Sequence, residues 1–61
     1  MKTKCKNGYT VENWYDRHSR NSIVRTINTN GDQVGDADYS GNRLSAKFAK
    51  DQMIKMNGGK A

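Results

Sequence analysis

Hydrophobic and polar residues alternate along three short runs in the first two thirds of the chain. The runs are residues 9–16 (YTVENWYD), 22–29 (SIVRTINT) and 32–40 (DQVGDADYS), and all three contain β-branched or aromatic residues. Residues 17–21 (RHSRN) and the dipeptide Asn30-Gly31 separate them. Runs of this kind bounded by turn residues predict β-strands, and the short connections predict antiparallel neighbours.

The last third of the chain has the spacing of a helix. Asn42 is a favourable N-cap for a helix over Arg43–Met56, and the Asn-Gly-Gly of residues 57–59 accepts the left-handed conformations that end helices. At about 100° per residue, one stripe is predicted to pack on the sheet. It contains Ala46, Ala49, Met53 and Met56, with Phe48 at its edge.

The opposite face of this helix is predicted to be exposed and basic. It carries Arg43, Lys47 and Lys50, with Ile54 among them. A single exposed isoleucine is usually unremarkable. The alternative is that Ile54 marks a contact with another chain.

Together these elements predict an α+β fold (βββα), a three-stranded antiparallel sheet packed against one C-terminal helix over residues 9–57. Residues 1–8 are predicted to be a basic, flexible N-terminal tail, and residues 58–61 a flexible C-terminal tail. The chain has 61 residues, of which 33% are hydrophobic. A core this small rarely supplies more than about 3–5 kcal/mol, so a homodimer or a partner that completes the core is expected as an alternative to a lone monomer.

The register of the second hairpin is open at this point. A two-residue turn at Asn30-Gly31 pairs Ile27 with Val34, whereas a three-residue loop with Gly31 in a bulge shifts the pairing by one and exchanges the faces of one strand. The first register buries Val24, Ala37 and Tyr39, with Gly35 leaving room for the helix, and the second buries Ile23, Ile27, Ala37 and Tyr39. Both registers place Ala37 and Tyr39 toward the helix.

Trp14 is the only tryptophan of the chain. A ring this large is costly to leave in water, so the simplest prediction makes Trp14 the anchor of the core. The functional alternative is an exposed platform on which a base stacks.

Charge is distributed unevenly along the chain, which has a net charge of +5. Residues 1–30 hold six cations and two anions, residues 31–42 hold three aspartates and no cation, and residues 43–61 hold five cations and one anion. Basic domains are attracted to nucleic acids and other polyanions. Ordinary solvated lysines are the alternative.

Motifs for catalysis and metal binding fail when their spacing is examined. Residues 36–41 (DADYSG) resemble the opening of a calcium loop, but position twelve would be Lys47 instead of a bidentate glutamate. His18 has no second ligand at zinc spacing, and Asp16, His18 and Ser19 are more simply a polar loop. We therefore expect that the protein is not an enzyme and that it needs no cofactor. No run is long enough for a membrane span, and the single cysteine, Cys5, fits a cytoplasmic location.

The order of elements resembles the arm-site DNA-binding domains of phage and transposon integrases and the plant AP2 domain. Features that carry this resemblance are Arg17 and Arg25 on early strands, the Asn30-Gly31 hairpin, the Val34-Gly35 pair, and a helix with Ala46 and Ala49. The resemblance implies that the sheet face away from the helix enters the major groove, with Arg17, Arg25 and Tyr15 facing DNA. The small, lysine-rich chain also looks like a phage or mobile-element accessory protein.

The favoured hypothesis is a nucleic-acid-binding module that uses the exposed sheet face and the basic tail. Its predicted contact residues are Lys2, Lys4, Lys6, Tyr15, Arg17, Arg20 and Arg25. The alternative is a phage-type accessory protein that binds and modulates or inhibits a host protein, docking through a sheet edge or a face of mixed charge. The facing charges expected for Arg25 and Asp36 suit that second partner.

Overall fold

A fourth strand, absent from the sequence prediction, completes the sheet in the computed structural model, which describes all 61 residues. The elements are β1 (Lys2–Lys4), β2 (Thr10–Asp16), β3 (Asn21–Ile27), β4 (Gln33–Ser40) and α1 (Arg43–Met56). All neighbouring strands are antiparallel, in the order β1-β2-β3-β4. The α+β class, the antiparallel sheet and the single C-terminal helix are confirmed, and the prediction of three strands is wrong.

Strand β1 lies within the segment expected to be a tail. It has only three residues, two of them lysines, so no local signal marks it, and its pairing of Thr3 with Val11 forms only in the folded sheet. The C-terminal residues cover the outer side of this region. The amide of Lys6 donates to the carbonyl of Gly59, and the amide of Ala61 donates to the carbonyl of Lys4.

The β3–β4 connection is a loop organised by Asn28. Its side-chain oxygen accepts from the amides of Asn30 and Asp32 at 2.9 and 3.0 Å, and Gly31 has a φ of +87°. An asparagine side chain that binds amides two or more residues ahead replaces part of a backbone turn. Of Asn30 and Gly31, the two residues predicted to form the turn, only Gly31 has a positive φ.

The observed register is shifted by one position from that of a two-residue turn, as the three-residue loop predicts, but the direction of the shift differs between the two halves of β4. Beside the loop Ile27 faces Gln33, but beyond an irregularity in β4 Ile23 faces Tyr39. Gly35, with a φ of +70°, lies in this irregularity. Residues in a β-bulge can have a positive φ, which glycine adopts without steric cost. Tyr39 shares a face with Ile23, as the shifted register predicts, but this is the sheet face away from the helix, so the predicted place of Tyr39 toward the helix is wrong.

The core lies between the sheet and α1 and is small. Its buried cluster contains Cys5, Val11, Val24 and Ala46, and the half-buried residues packed against it are Ala49, Met53 and Ile54. Ala46, Ala49 and Met53 therefore pack as predicted. Ile54 packs inward while Met56 is 81% exposed, which reverses both predictions. Ile54 packs against a cluster that includes Cys5, an apolar group that a three-stranded sheet would lack.

Both ends of α1 are formed as predicted. The side chain of Asn42 accepts from the amides of Leu44 and Ser45 at 2.7 and 3.3 Å. At the other end Gly58 and Gly59 have φ values of +91° and +92°. The helix has 14 residues, and it lacks the length and apolar character needed to cross a membrane.

Candidate nucleic-acid interface

The sheet face turned away from α1 carries a row of three large side chains. Trp14 faces Ile23 across β2 and β3, and Ile23 faces Tyr39 across β3 and β4. Successive residues of a strand point to opposite faces, and Val11 and Val24 point to the helix. We call the surface formed by the row and by Lys2, Lys4, Glu12 and Arg25 the open face.

Trp14 is not the anchor of the core. It is 40% exposed on the open face, because it lies an odd number of residues from the buried Val11. The Tyr39 side chain is 63% exposed, whereas Ile23 between the two aromatic residues is only 6% exposed. The two rings thus shield the isoleucine and keep accessible surface themselves. The signal that could have found Trp14 is its strand parity relative to Val11, once Val11 is known to be buried.

Arg25 is held in place beside Trp14. Its guanidinium carbon lies 5.2 Å from the centroid of the Trp14 ring, within the range of a cation–π contact. Its Nε donates to Oε1 of Glu12 at 2.8 Å, and the ammonium of Lys2 lies 3.6 Å from the other carboxylate oxygen. The hydrogen bond from Arg25 lowers the pKa of Glu12, opposed by desolvation and aided by the charges of Arg25 and Lys2. Glu12 therefore neutralises part of the positive charge of Arg25 and Lys2, and its hydrogen bond orients the Arg25 guanidinium.

A hollow of 320 Å³ lies beside this cluster. It is lined by Met1, Lys2, Glu12, Asn13, Trp14 and Arg25. Cationic and aromatic groups in one hollow are the combination that binds phosphate backbones and unpaired bases. The hollow is a surface feature of the open face and not an enclosed pocket for a small molecule.

Arg17 and Arg20 lie in the turn between β2 and β3, at the end of the sheet. Asp16 shapes this turn by accepting from the amide of His18 at 3.3 Å and from the hydroxyl of Ser19 at 2.8 Å. The Ser19 hydrogen bond, with those from the backbone, lowers the pKa of Asp16 against desolvation. Arg20 has a φ of 56°, which non-glycine residues seldom adopt. Neither arginine forms an ion pair, so both charges are available to a ligand.

The structure brings together only part of the predicted contact set. Lys2, Lys4 and Arg25 share the open face, whose β2 strand has seven residues. At about 3.3 Å per residue, roughly 20 Å separates Lys4 from the Arg17 turn. Tyr15 lies on the other face of the sheet and Lys6 lies beyond the end of β1.

Tyr15 belongs instead to a basic groove between β2 and α1. The residues that line it include Trp14, Tyr15, Arg43, Lys47 and Lys50. The ammonium of Lys47 is partly neutralised by Asp51 at 2.7 Å, and this hydrogen bond lowers the pKa of Asp51 against desolvation. Sequence reasoning treated the cations of this helix as solvated surface and did not place Tyr15 beside them.

The aspartates of β4 lie away from the row of aromatic residues. Asp38 faces Val24, whose side chain points to the helix, and Asp36 lies in the irregular part of β4. The open face therefore carries no carboxylate from β4 beside Trp14. No group of three or more His, Cys, Asp or Glu side chains is arranged to hold a metal ion.

No family model, curated protein or solved structure matches this chain. The resemblance to integrase arm-site and AP2 domains therefore stays a prediction from the sequence.

Proposed function

We propose that this protein is a non-enzymatic nucleic-acid-binding protein that uses the open face, with DNA as the expected ligand. The observation that carries the proposal is the place of Trp14. A tryptophan on a sheet face away from the core, stacked with Arg25 and aligned with Tyr39, exposes apolar area that packing does not require. Contact with bases would cover that area.

The two kinds of contact would be divided along the sheet. Tyr39 and the Trp14–Arg25 pair would contact bases, because rings and guanidinium planes stack on any base. Lys2, Lys4, Arg17 and Arg20 would contact phosphates, which position the strand without reading its sequence. Stacking on Trp14 and Tyr39 needs unpaired bases, so single-stranded DNA is expected to bind more tightly than duplex.

Fluorescence provides a direct test, since Trp14 is the only tryptophan. Titration with random-sequence single-stranded DNA should quench or shift the Trp14 emission, and binding should weaken steeply as salt is raised. The double variant Arg17→Ala with Arg20→Ala should bind more weakly and show a smaller salt slope, by up to about 0.7 slope units for each lost single-strand phosphate contact.

The matched control removes two cations near the C-terminus instead. Lys55→Ala with Lys60→Ala causes the same loss of charge at residues that line neither the hollow beside Trp14 nor the basic groove, and it should leave the Trp14 response unchanged. Equal weakening by both double variants would contradict a site on the open face. Absence of binding to single-stranded and duplex DNA at about 50 mM salt would contradict the proposed function.

A further inference from the structure

A second groove lies on the opposite side of the helix from the basic groove, between α1 and the edge strand β4. It has a volume of 590 Å³ and is lined by Asp38, Tyr39, Ser40, Leu44, Ser45, Phe48 and Ala49. We call it the β4–α1 groove. It shares Tyr39 with the open face but no other residue named there.

Large apolar side chains at this groove are exposed without a structural reason. Leu44 is 78% exposed and Phe48 is 66% exposed. They are four residues apart on the helix and therefore neighbours on its surface, and both line the groove. Single exposed apolar residues are ordinary, whereas a contiguous group of them marks a contact surface.

Strand β4 offers backbone hydrogen-bonding groups beside the same groove. It is the last strand of the sheet and pairs only with β3, whereas the C-terminal residues cover part of the β1 side. An extended peptide can add to such an edge, with main-chain hydrogen bonds for affinity and side-chain pockets for specificity. The half of β4 that borders the groove, Asp38–Ser40, is regular in its pairing with β3.

Charge decides what kind of chain would fit. Asp36 and Asp38 form no ion pair, and no cation lines the β4–α1 groove. The basic groove on the other side of the helix has three cations and no carboxylate in its lining. The carboxylate of Asp38 and the ring of Phe48 in one lining suit a lysine or arginine, which both the charge and the ring attract.

A second copy of this chain fits the surface poorly. Antiparallel pairing of β4 with itself about Asp38 would place the two Asp38 side chains opposite each other, and facing like charges destabilise a sheet. Pairing of α1 with itself would bring together two helices that each carry four cations and one anion. Both of these symmetric contacts are opposed by charge, whereas Asp38 in the groove attracts a basic segment of a different chain.

We propose that the β4–α1 groove is a docking site for another protein, which it binds through an extended basic segment with an apolar anchor. The segment pairs with the Asp38–Ser40 half of β4, one of its cations faces Asp38, and its apolar side chain packs against Leu44 and Phe48. This site is independent of nucleic-acid binding at the open face.

A labelled peptide of sequence Lys-Val-Lys-Phe-Lys-Val-Lys-Val is a suitable probe for fluorescence anisotropy. Phe48→Ala and Asp38→Asn should each weaken its binding about fivefold or more. The controls are Met56→Ala and Asp51→Asn, which alter an apolar and an acidic residue on the same helix outside the groove, and both should bind as the unmodified protein does. Phe48 and Met56 are exposed, so both variants are expected to fold.

Three outcomes would overturn the proposal. If a peptide with glutamate in place of every lysine binds equally well, the carboxylates of β4 do not attract the segment. Equal weakening by Asp38→Asn and Asp51→Asn would show attraction to net charge and no defined site. Concentration-dependent dimerisation that Phe48→Ala abolishes would show that a second copy occupies the groove.

Discussion

Glu12 and Arg25 face each other across β2 and β3, with 2.8 Å between the arginine Nε and a carboxylate oxygen. The same guanidinium lies over the ring of Trp14. This ion pair therefore does more than join two strands. It determines the direction in which the central cation of the open face points.

The first prediction concerns stability at acid pH. The pKa of Glu12 is lowered in the folded protein, chiefly by the hydrogen bond from Arg25. A carboxyl whose pKa is lowered by folding stabilises the fold at any pH above its pKa in the unfolded chain, which is about 4.3 for glutamate. This stabilisation is lost as the pH falls through the lower pKa of the folded protein. Glu12→Gln should therefore reduce the melting temperature at pH 7 more than at acid pH.

Asp32→Asn is the matched control for this measurement, because Asp32 forms no ion pair. Asp32→Asn should leave the difference between the melting temperatures at pH 7 and at acid pH as it is in the unmodified protein. If Glu12→Gln lowers the melting temperature equally at both pH values, the pair does not contribute through its charge.

The second prediction concerns the loop between β3 and β4. Gly31 has a φ of +87°, and an added Cβ would meet no atom within 4 Å. Gly31→Ala should destabilise the fold by about 1 kcal/mol through backbone strain alone. Gly41→Ala tests a glycine without positive φ, where the nearest atom to the added Cβ is 3.8 Å away. Chemical unfolding should show that only the first variant loses stability, and an equal loss in both would point to a cause other than φ.

The third prediction distinguishes the true inner side of α1. Ile54 packs against the core and Met56 is 81% exposed. Ile54→Ala should lower the free energy of unfolding by about 1–2 kcal/mol, because a half-buried side chain loses part of its apolar contact. Met56→Ala should change it by less than about 0.5 kcal/mol. The reverse ranking would support the helix orientation expected from the sequence.

The fourth prediction concerns Cys5. The residue is 1% exposed, and its burial raises the pKa of the thiol. The reactive species of a cysteine is the thiolate, so a thiol reagent at pH 8 should modify the folded protein much more slowly than the unfolded protein. Fast modification of the folded protein would show that β1 and the C-terminal residues open readily.

Local signals in the sequence predicted most of the elements. Asn42 and the glycines after Met56 bound the helix because a cap depends on backbone groups one to four residues away. Gly31 marked the β3–β4 connection for the same kind of reason, since its φ is a property of one residue. The small and apolar spacing of Ala46, Ala49 and Met53 was sufficient to identify one side of the helix that packs.

Pairing between segments far apart in the chain decided which side chains of the sheet and the helix face outward. The pairing of Tyr39 with Ile23 placed Tyr39 on the open face, and the burial of Val11 on the helix side of the sheet placed Trp14 on that same open face. Strand β1 and the inward place of Ile54 likewise depend on Cys5 meeting the helix side of the sheet.

The sequence by itself determined the class of fold and the ends of its helix, because those follow from interactions between near neighbours. Only the tertiary structure decided the faces. A strand alternates every residue, so a shift of one position exchanges its two sides at no local cost. The energy that selects one side comes from burying Val11, Val24 and Cys5 against Ala46, contacts between segments far apart in the chain.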